Sequence, residues 1–398
     1  MKNVKSWVEI SEERLRSNYE ALVRVAGEGV AVLAVVKADA YGHGARVCAP
    51  VLGAAGAEWL GVTDAAEGIA VREALGAASG EHKILVMSGL LEEDAEAVVQ
   101  HRLTPVVWTR QQMEWLAEAG AEAPLPVHIE IDTGMARQGV APGEELRALL
   151  DWMAGESRLR LDGMMTHFAS SEVADSPLTI QQRQRFEQAL QQVAKAGLHP
   201  VWVHAGNSST VDNSAVTEQD CGSLVWLREA AARLGARAMV RTGIALYGYC
   251  LPVEGGEALV EPALRPVMTW KTRVIGVRDV DTGATVGYNA IFAAPRPMRL
   301  ALLPVGYADG LRRELSGSDD AAGGWAMVRG RKAMIVGRVS MNLTVVDVTG
   351  IPGVSVGDEA VLLGNGITAD DHARLAHTIA YEIVCGMRAE PWLVNAAG

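Results

Sequence analysis

Positive charge is in short supply in this sequence. Lys and Arg number 36 against 48 Asp and Glu, leaving a formal charge of −12. Phosphate backbones and anionic membranes call for a basic face, so this balance argues against a nucleic-acid or membrane partner. Cysteine is scarce too. Cys48, Cys221, Cys250 and Cys385 lie far apart with no CxxC pair, which offers neither a disulfide framework nor a zinc site and suits a reducing compartment. No stretch approaches the roughly 18 apolar residues of a membrane span. The opening "MKNVKSWVEISEERLRSNYEAL" lacks the apolar centre of a secretion signal and reads as a short strand followed by a helix. These absences predict a cytoplasmic protein.

What is present is apolar and periodic. The 398 residues are 49% hydrophobic and 21% charged, enough for one large core and a smaller one. From Val30 to Gly243, "VLAVVK", "EWLGVT", "KILVMS", "TPVVWT", "VHIEID", "LDGMMTHF", "VWVHAGN" and "AMVRTG" read as eight strands. Amphipathic stretches such as "DAAEGIAVREAL" and "LTIQQRQRFEQALQQVAKAG" lie between them. Eight such units predict a (β/α)8 TIM-like barrel over residues 1–249. The competing open doubly wound sheet lacks the GxGxxG that would follow its first strand. After Gly248 the helical periodicity stops, Pro and Gly gather over 250–266, and strand-like segments such as "VMTWKTRVIGVRDV", "GWAMVRG" and "DEAVLLG" follow. Residues 250–398 are therefore expected to form a mainly-β C-terminal domain.

The polar residues at the strand ends define the chemistry. Lys37 closes the first strand in "AVVKADAYGHGA". Asp132 and Arg137 follow the fifth and His167 the sixth, the seventh carries His204, Asn207 and Ser208, and the eighth holds Arg241 and Gly243. In a barrel these ends share one face, where such folds place their active sites. No acidic cluster for Mg²⁺, no His triad at metal-ligand spacing and no GxSxG elbow is present, so no metal is expected. A lysine amine condenses with an aldehyde, and pyridoxal 5′-phosphate (PLP) is the aldehyde that then serves as an electron sink. "GNSS" and "TGIALYG" offer the hydroxyls and small-residue backbone that its phosphate would need.

With these motifs in place, the sequence resembles the bacterial alanine racemases. "AVVKADAYGHGA" is close to that family's PLP-lysine signature, and similarity continues through "IDTGMARQGV", "HAGNSS", "VRTGIALYG", "VGYNAIF", "LPVGYADG", "VGRVSMN" and "AYEIVCGMRAEP". The resemblance implies a PLP enzyme that interconverts L- and D-alanine for peptidoglycan and works as a homodimer with shared active sites. Lys37 would hold PLP and act as one base, with Tyr288 of the second copy as the other. Arg241 would face the pyridine nitrogen, His167 would link it to Tyr288, and His204 would lie behind it. Tyr41, Ser208, Gly243, Ile244 and Tyr381, beside Asn207, match the phosphate positions. Arg137 and Met341 match substrate-carboxylate contacts, and Tyr307 matches the residue that narrows the access channel. A serine or broader amino-acid racemase, a barrel-type decarboxylase and a non-catalytic PLP carrier are the alternatives.

The chain departs from the family pattern in places. Asn342 stands where an aspartate is usual, and the segment from Val211 to Ala238 is longer than usual. Glu130 occupies the position of a lysine that is often carbamylated. The expectation is that its carboxylate supplies the negative charge for Arg137, seven residues on.

Overall fold

The computed structural model describes residues 5–214 and 222–394. Cys221 and the middle of the long 211–238 segment lie outside the described residues. Contacts divide the chain into two units, one of residues 15–40 and 48–265, the other of residues up to 14, 41–47 and from 266 on. Neither unit is a single stretch, as 1–249 and 250–398 would be.

The first unit is the expected barrel. Eight parallel strands close on themselves: Val30–Val35, Trp59–Val62, Lys83–Val86, Thr104–Val107, Leu125–Ile131, Leu159–Thr166, Trp202–His204 and Arg237–Thr242. Each coincides with one of the apolar runs read from the sequence. The strands are buried on both faces, so they read as near-continuous apolar runs without alternation. Caps place the intervening helices. Asp64 accepts from the Glu67 amide before Ala65–Leu75, Thr109 and Gln112 form a capping box before Arg110–Glu118, and Ser176 precedes Pro177 at the start of Pro177–Lys195. At the N-terminal ends of the strands, Trp59 and Trp202 meet edge to face with ring centroids 5.8 Å apart. Lys83 lies over both rings and Arg237 lies 4.1 Å from the centre of Trp202. This aromatic plug closes the bottom of the barrel and leaves polar chemistry to the other end.

The sixth strand carries an irregularity that matters later. Val127 pairs with Leu161 and His128 with Gly163, so Asp162 is an extra residue with no partner across the ladder. Such a bulge re-aims a side chain, and here Asp162 is 4% exposed.

The second unit is mainly β. Its six-stranded sheet runs in the order Arg331–Met334, Trp325–Val328, Glu359–Leu363, Met268–Arg273, Ser6–Ser11 and Glu390–Val394. The N-terminal strand thus sits inside it, antiparallel to Met268–Arg273 and parallel to Glu390–Val394, with Trp7 stacked on Trp392. Gly276–Val280, Met298–Leu303 and Thr344–Asp347 form a three-stranded sheet. The expectation that helical periodicity ends at Gly248 needs correction, because Ala369–Ala376 and Ala380–Cys385 are helices. At eight and six residues they span too few turns to register as a period. Gly42, at φ 78°, explains one glycine of "AYGHGA": a Cβ there would lie 2.1 Å from the Val384 carbonyl oxygen. Among the described residues no helix is long and apolar enough to cross a membrane.

Candidate active site

Lys37 lies just past the first barrel strand, in a turn of reversed hand. Ala38, Asp39, Ala40 and Tyr41 have φ between 51° and 55°. L-residues disfavour this by about 1–2 kcal/mol each. Glu67 steadies the start of the turn, one carboxylate oxygen accepting from the Ala38 amide (2.7 Å) and the other from Thr63 (2.8 Å). The Tyr247 hydroxyl donates to Val35 O at 3.0 Å, pinning the end of the strand. The sequence reading passed over Glu67, although "DAAE" carries a cap-and-glutamate spacing. Its carboxylate accepts from the Ala38 amide at the start of the turn as well as from the Thr63 amide.

Arg241 is the centre of the polar group, and it is 4% exposed. Strand pairing sets it opposite Leu33. One terminal nitrogen donates to Thr166 O (2.8 Å) and to His167 Nδ1 (3.1 Å), and the other donates to His204 Nδ1 (3.3 Å). Gln182 donates to His167 O and accepts from the Ala169 amide, fixing the loop that carries His167. Burial, followed by the charges of Arg241, Arg137 and Lys37, pushes the His167 pKa down to about 3. The charges of Lys37, Arg137 and Arg241 thus all reach His167. His204 is pushed well below its ordinary value by burial and then by His128 and Arg241. Burial lowers Arg241 to about 10, with Glu130 opposing, so it remains a guanidinium at neutral pH.

Ser208 opens the short helix Ser208–Asp212, and its hydroxyl accepts from the amides of Gly243 (3.0 Å) and Ala245 (3.2 Å). This joins the ends of the seventh and eighth strands. Asn207 is the cap of that helix, its side-chain oxygen accepting from the Thr210 amide at 3.1 Å, and Ile244 is buried at the head of the turn that follows Gly243.

Glu130 makes no direct bond to Arg137, although the Arg137 charge still acts on it. Glu130 is 1% exposed and accepts from Gln138 Nε2 at 2.5 Å, while Gln138 also donates to Met87 O and Arg137 is exposed. The turn after the fifth strand doubles back, with the Val140 amide bonding to Glu130 O, and this brings Gln138 rather than Arg137 over the carboxylate. Burial raises the Glu130 pKa, opposed by the Gln138 bond and by Arg241 and Arg137. The unfolded chain ionises near 4.5. Between that pH and the higher folded value, the native state holds more protons and loses stability as pH rises. Glu130→Gln keeps the shape without this titration. In thermal melts, its midpoint is expected to gain on the parent as pH climbs through this window and then to level off. Parallel curves would refute this.

In the second unit Tyr41 and Tyr381 meet with ring centroids 6.2 Å apart, and burial raises the Tyr41 phenol. Tyr288 opens a one-turn helix, Tyr288–Ala290, and is 69% exposed. Met341 and Tyr307 are also exposed. Their loops are joined, because the Tyr307 amide bonds to Ser340 O and the Ala308 amide to Met341 O, both at 3.0 Å. Asn342 is exposed beside them.

Comparison with known proteins agrees along the whole chain. The family models "Alanine racemase, N-terminal domain" and "Alanine racemase, C-terminal domain" match residues 10–251 and 267–392. An alanine racemase of Halothermothrix orenii is 36% identical over 389 residues, covering 96% of this chain and 94% of that one. The structure of alanine racemase from Streptomyces coelicolor A3(2) aligns with a TM-score of 0.85 at 34% identity, covering 98% of each chain. That from Bartonella henselae, solved with covalently bound pyridoxal phosphate, aligns at 0.79 and 26% identity over 98% of this chain and 100% of that one. With both domain models matched and a relative this similar over nearly its full length, the chain belongs to the alanine racemase family, whose members are isomerases.

Proposed function

We propose that this enzyme interconverts L- and D-alanine with PLP held on Lys37, using Lys37 and Tyr288 as the two bases. The observation that carries the reading is the Arg241 guanidinium, buried between His167 and His204 at the barrel mouth. The donor set fits a phosphorylated pyridine aldehyde, with an amine at Lys37, a permanent cation at Arg241 and a hydroxyl-bearing turn at Ser208, Gly243 and Ile244 for the phosphate. The Tyr41–Tyr381 contact supports assigning those two to the phosphate as well. When bound, PLP supplies the electron sink that makes the alanine Cα proton acidic.

The chain's own residues do the rest. Racemisation removes a proton from one face of Cα and returns one to the other, so two groups on opposite faces are required. Lys37 serves one face and Tyr288, brought by a second copy of the chain, the other. Arg241 donates hydrogen bonds but keeps its proton, so a pyridine nitrogen held against it would gain none, which would disfavour transamination. An acidic residue at that position would suit a decarboxylase instead. His167 stays neutral, accepts from Arg241 at Nδ1, and therefore has Nε2–H free to steer the second base. Arg137 and Met341 receive the substrate carboxylate and Tyr307 narrows access. The exposed Tyr288, Tyr307 and Met341 support a homodimer with shared sites. The proposed setting is the cytoplasm and the proposed use of D-alanine is peptidoglycan, with the functional division of the chain near residue 250.

Incubation with L-alanine and PLP in D₂O, followed by chiral chromatography and mass spectrometry, tests this. The expected result is both enantiomers with deuterium at Cα. Release of CO₂, or no exchange, overturns it. L-serine run alongside decides between an alanine and a broader racemase, because a pocket discriminates weakly against an added hydroxyl.

A further inference from the structure

We propose that His128 and Asp162 are positioning residues that fix the tautomer of His204 from inside the barrel and thereby hold the Arg241 guanidinium in place. The inference rests on the racemase reading of Arg241 and extends it to groups that touch neither substrate nor cofactor.

The geometry is a column running down the barrel interior. Below Arg241, His204 Nε2 lies 2.8 Å from His128 Nδ1. His128 Nε2 in turn faces Asp162 Oδ2 at 3.6 Å, an electrostatic contact a little too long for a hydrogen bond, and has no other partner. Asp162 also pairs with Arg160, which is half exposed. Both histidines are fully buried.

Only one proton arrangement satisfies this column when the histidines are neutral. A guanidinium has donors and no acceptor, so His204 Nδ1 must accept and its proton is on Nε2. That proton is donated to His128 Nδ1, which leaves the His128 proton on Nε2, aimed at the Asp162 carboxylate. Every donor therefore points the same way, from the cation at the mouth to the anion beneath. Without an acceptor below, His128 gains nothing from keeping its proton on Nε2. If it moves to Nδ1, His204 turns an N–H toward Arg241, and two donors face each other in a buried site.

The column is built by local features that have no other evident use. The bulge in the sixth strand leaves Asp162 unpaired in the ladder, next to His128. The next residue is Gly163, where a Cβ would lie 2.5 Å from His128 Nδ1. Trp59 packs against the His128 ring at 5.2 Å and holds it upright. The other charges acting on the column are Lys83 on His128, Arg160 on Asp162, and Glu130 and Arg137 on Arg241.

The test is nitrogen NMR of protein labelled with ¹⁵N-histidine, cofactor-free and PLP-loaded, together with alanine kinetics. In the parent, His128, His204 and His167 are expected as neutral Nε2–H tautomers across about pH 6–8, where a free imidazole would titrate. Asp162→Leu is expected to mix the tautomers of His128 and His204. Its kcat is expected to fall roughly ten- to a hundredfold, the effect of one buried donor left unmatched, with KM for alanine within about threefold. Asp162→Asn keeps an oxygen acceptor and is expected to restore both the tautomers and most of the turnover. An Nδ1–H or doubly protonated His204 in the parent overturns the proposal. So does a folded Asp162→Leu with unchanged tautomers and turnover. If Asp162→Leu does not fold, the parent and Asp162→Asn spectra decide. A parent with the expected tautomers but no racemisation supports the column and overturns the racemase reading instead.

Discussion

Lys37→Ala is expected to cut alanine racemisation by roughly 10²–10⁴-fold or more, the range for losing a positioned acid–base group, because the same residue is also the proposed cofactor anchor. Chiral chromatography of D-alanine formed from L-alanine measures it. Borohydride reduction of the parent followed by peptide mapping should place the pyridoxyl group on Lys37. Three of the competing lysines are otherwise engaged. Lys83 sits over the tryptophans at the N-terminal ends of the barrel strands and pairs with Glu58. Lys271 is bridged to Glu9 at 2.9 Å, and Lys332 lies over the Trp325 ring. A pyridoxyl group on any of these, or a Lys37→Ala protein that racemises at the parent rate, would remove Lys37 from the mechanism.

Tyr288→Phe is expected to reduce conversion of L-alanine by a similar factor, roughly 10²–10⁴-fold, while PLP stays bound and keeps its visible absorbance. The effect should be handed. Exchange of the Cα proton of D-alanine, served by Lys37, should persist while exchange from L-alanine is lost. Nothing in the surrounding fold needs this phenol, since Tyr288 is 69% exposed in a one-turn helix. Its value would come from a second copy of the chain. Mixing inactive Lys37→Ala with inactive Tyr288→Phe then gives a sharp expectation. Random pairing makes half the dimers mixed, each with one intact site, so about a quarter of parental activity should return. No recovery after subunits have demonstrably exchanged would place both bases on one chain, and normal racemisation by Tyr288→Phe would reduce the residue to packing.

The parts of this protein that were legible in its sequence are those set by burial. All eight barrel strands appear as apolar runs because parallel strands covered on both faces have no polar positions to spare. Lys37, His167, His204 and Arg241 stand out for the same reason, being polar residues at the ends of apolar strands. What was not legible depends on register and on the path of the chain. "LDGMMTHF" reads as a strand, but only pairing with the fifth strand reveals Asp162 as a bulge. The strand-interior Gly163 was the one hint. Gln138 displaces Arg137 at Glu130 because of how a turn doubles back, which spacing alone does not encode. The place of Ser6–Ser11 in the six-stranded sheet depends on partners some 260 and 380 residues away.

The turn of reversed hand after Lys37 has a consequence for how the protein acquires its chemistry. Glycine is the residue that visits this conformation routinely, and "ADAY" contains none. At about 1–2 kcal/mol per residue, the segment cannot hold this shape by itself. It exists because Glu67, Thr63 and the first two strands are already in place around it. The turn therefore depends on the strands packed around it. An opened turn would leave Lys37 without the geometry that the strands and Glu67 impose. With Lys37 as the proposed cofactor lysine, its placement would depend on the finished barrel, and loosening around Glu67 would free it without unfolding the strands.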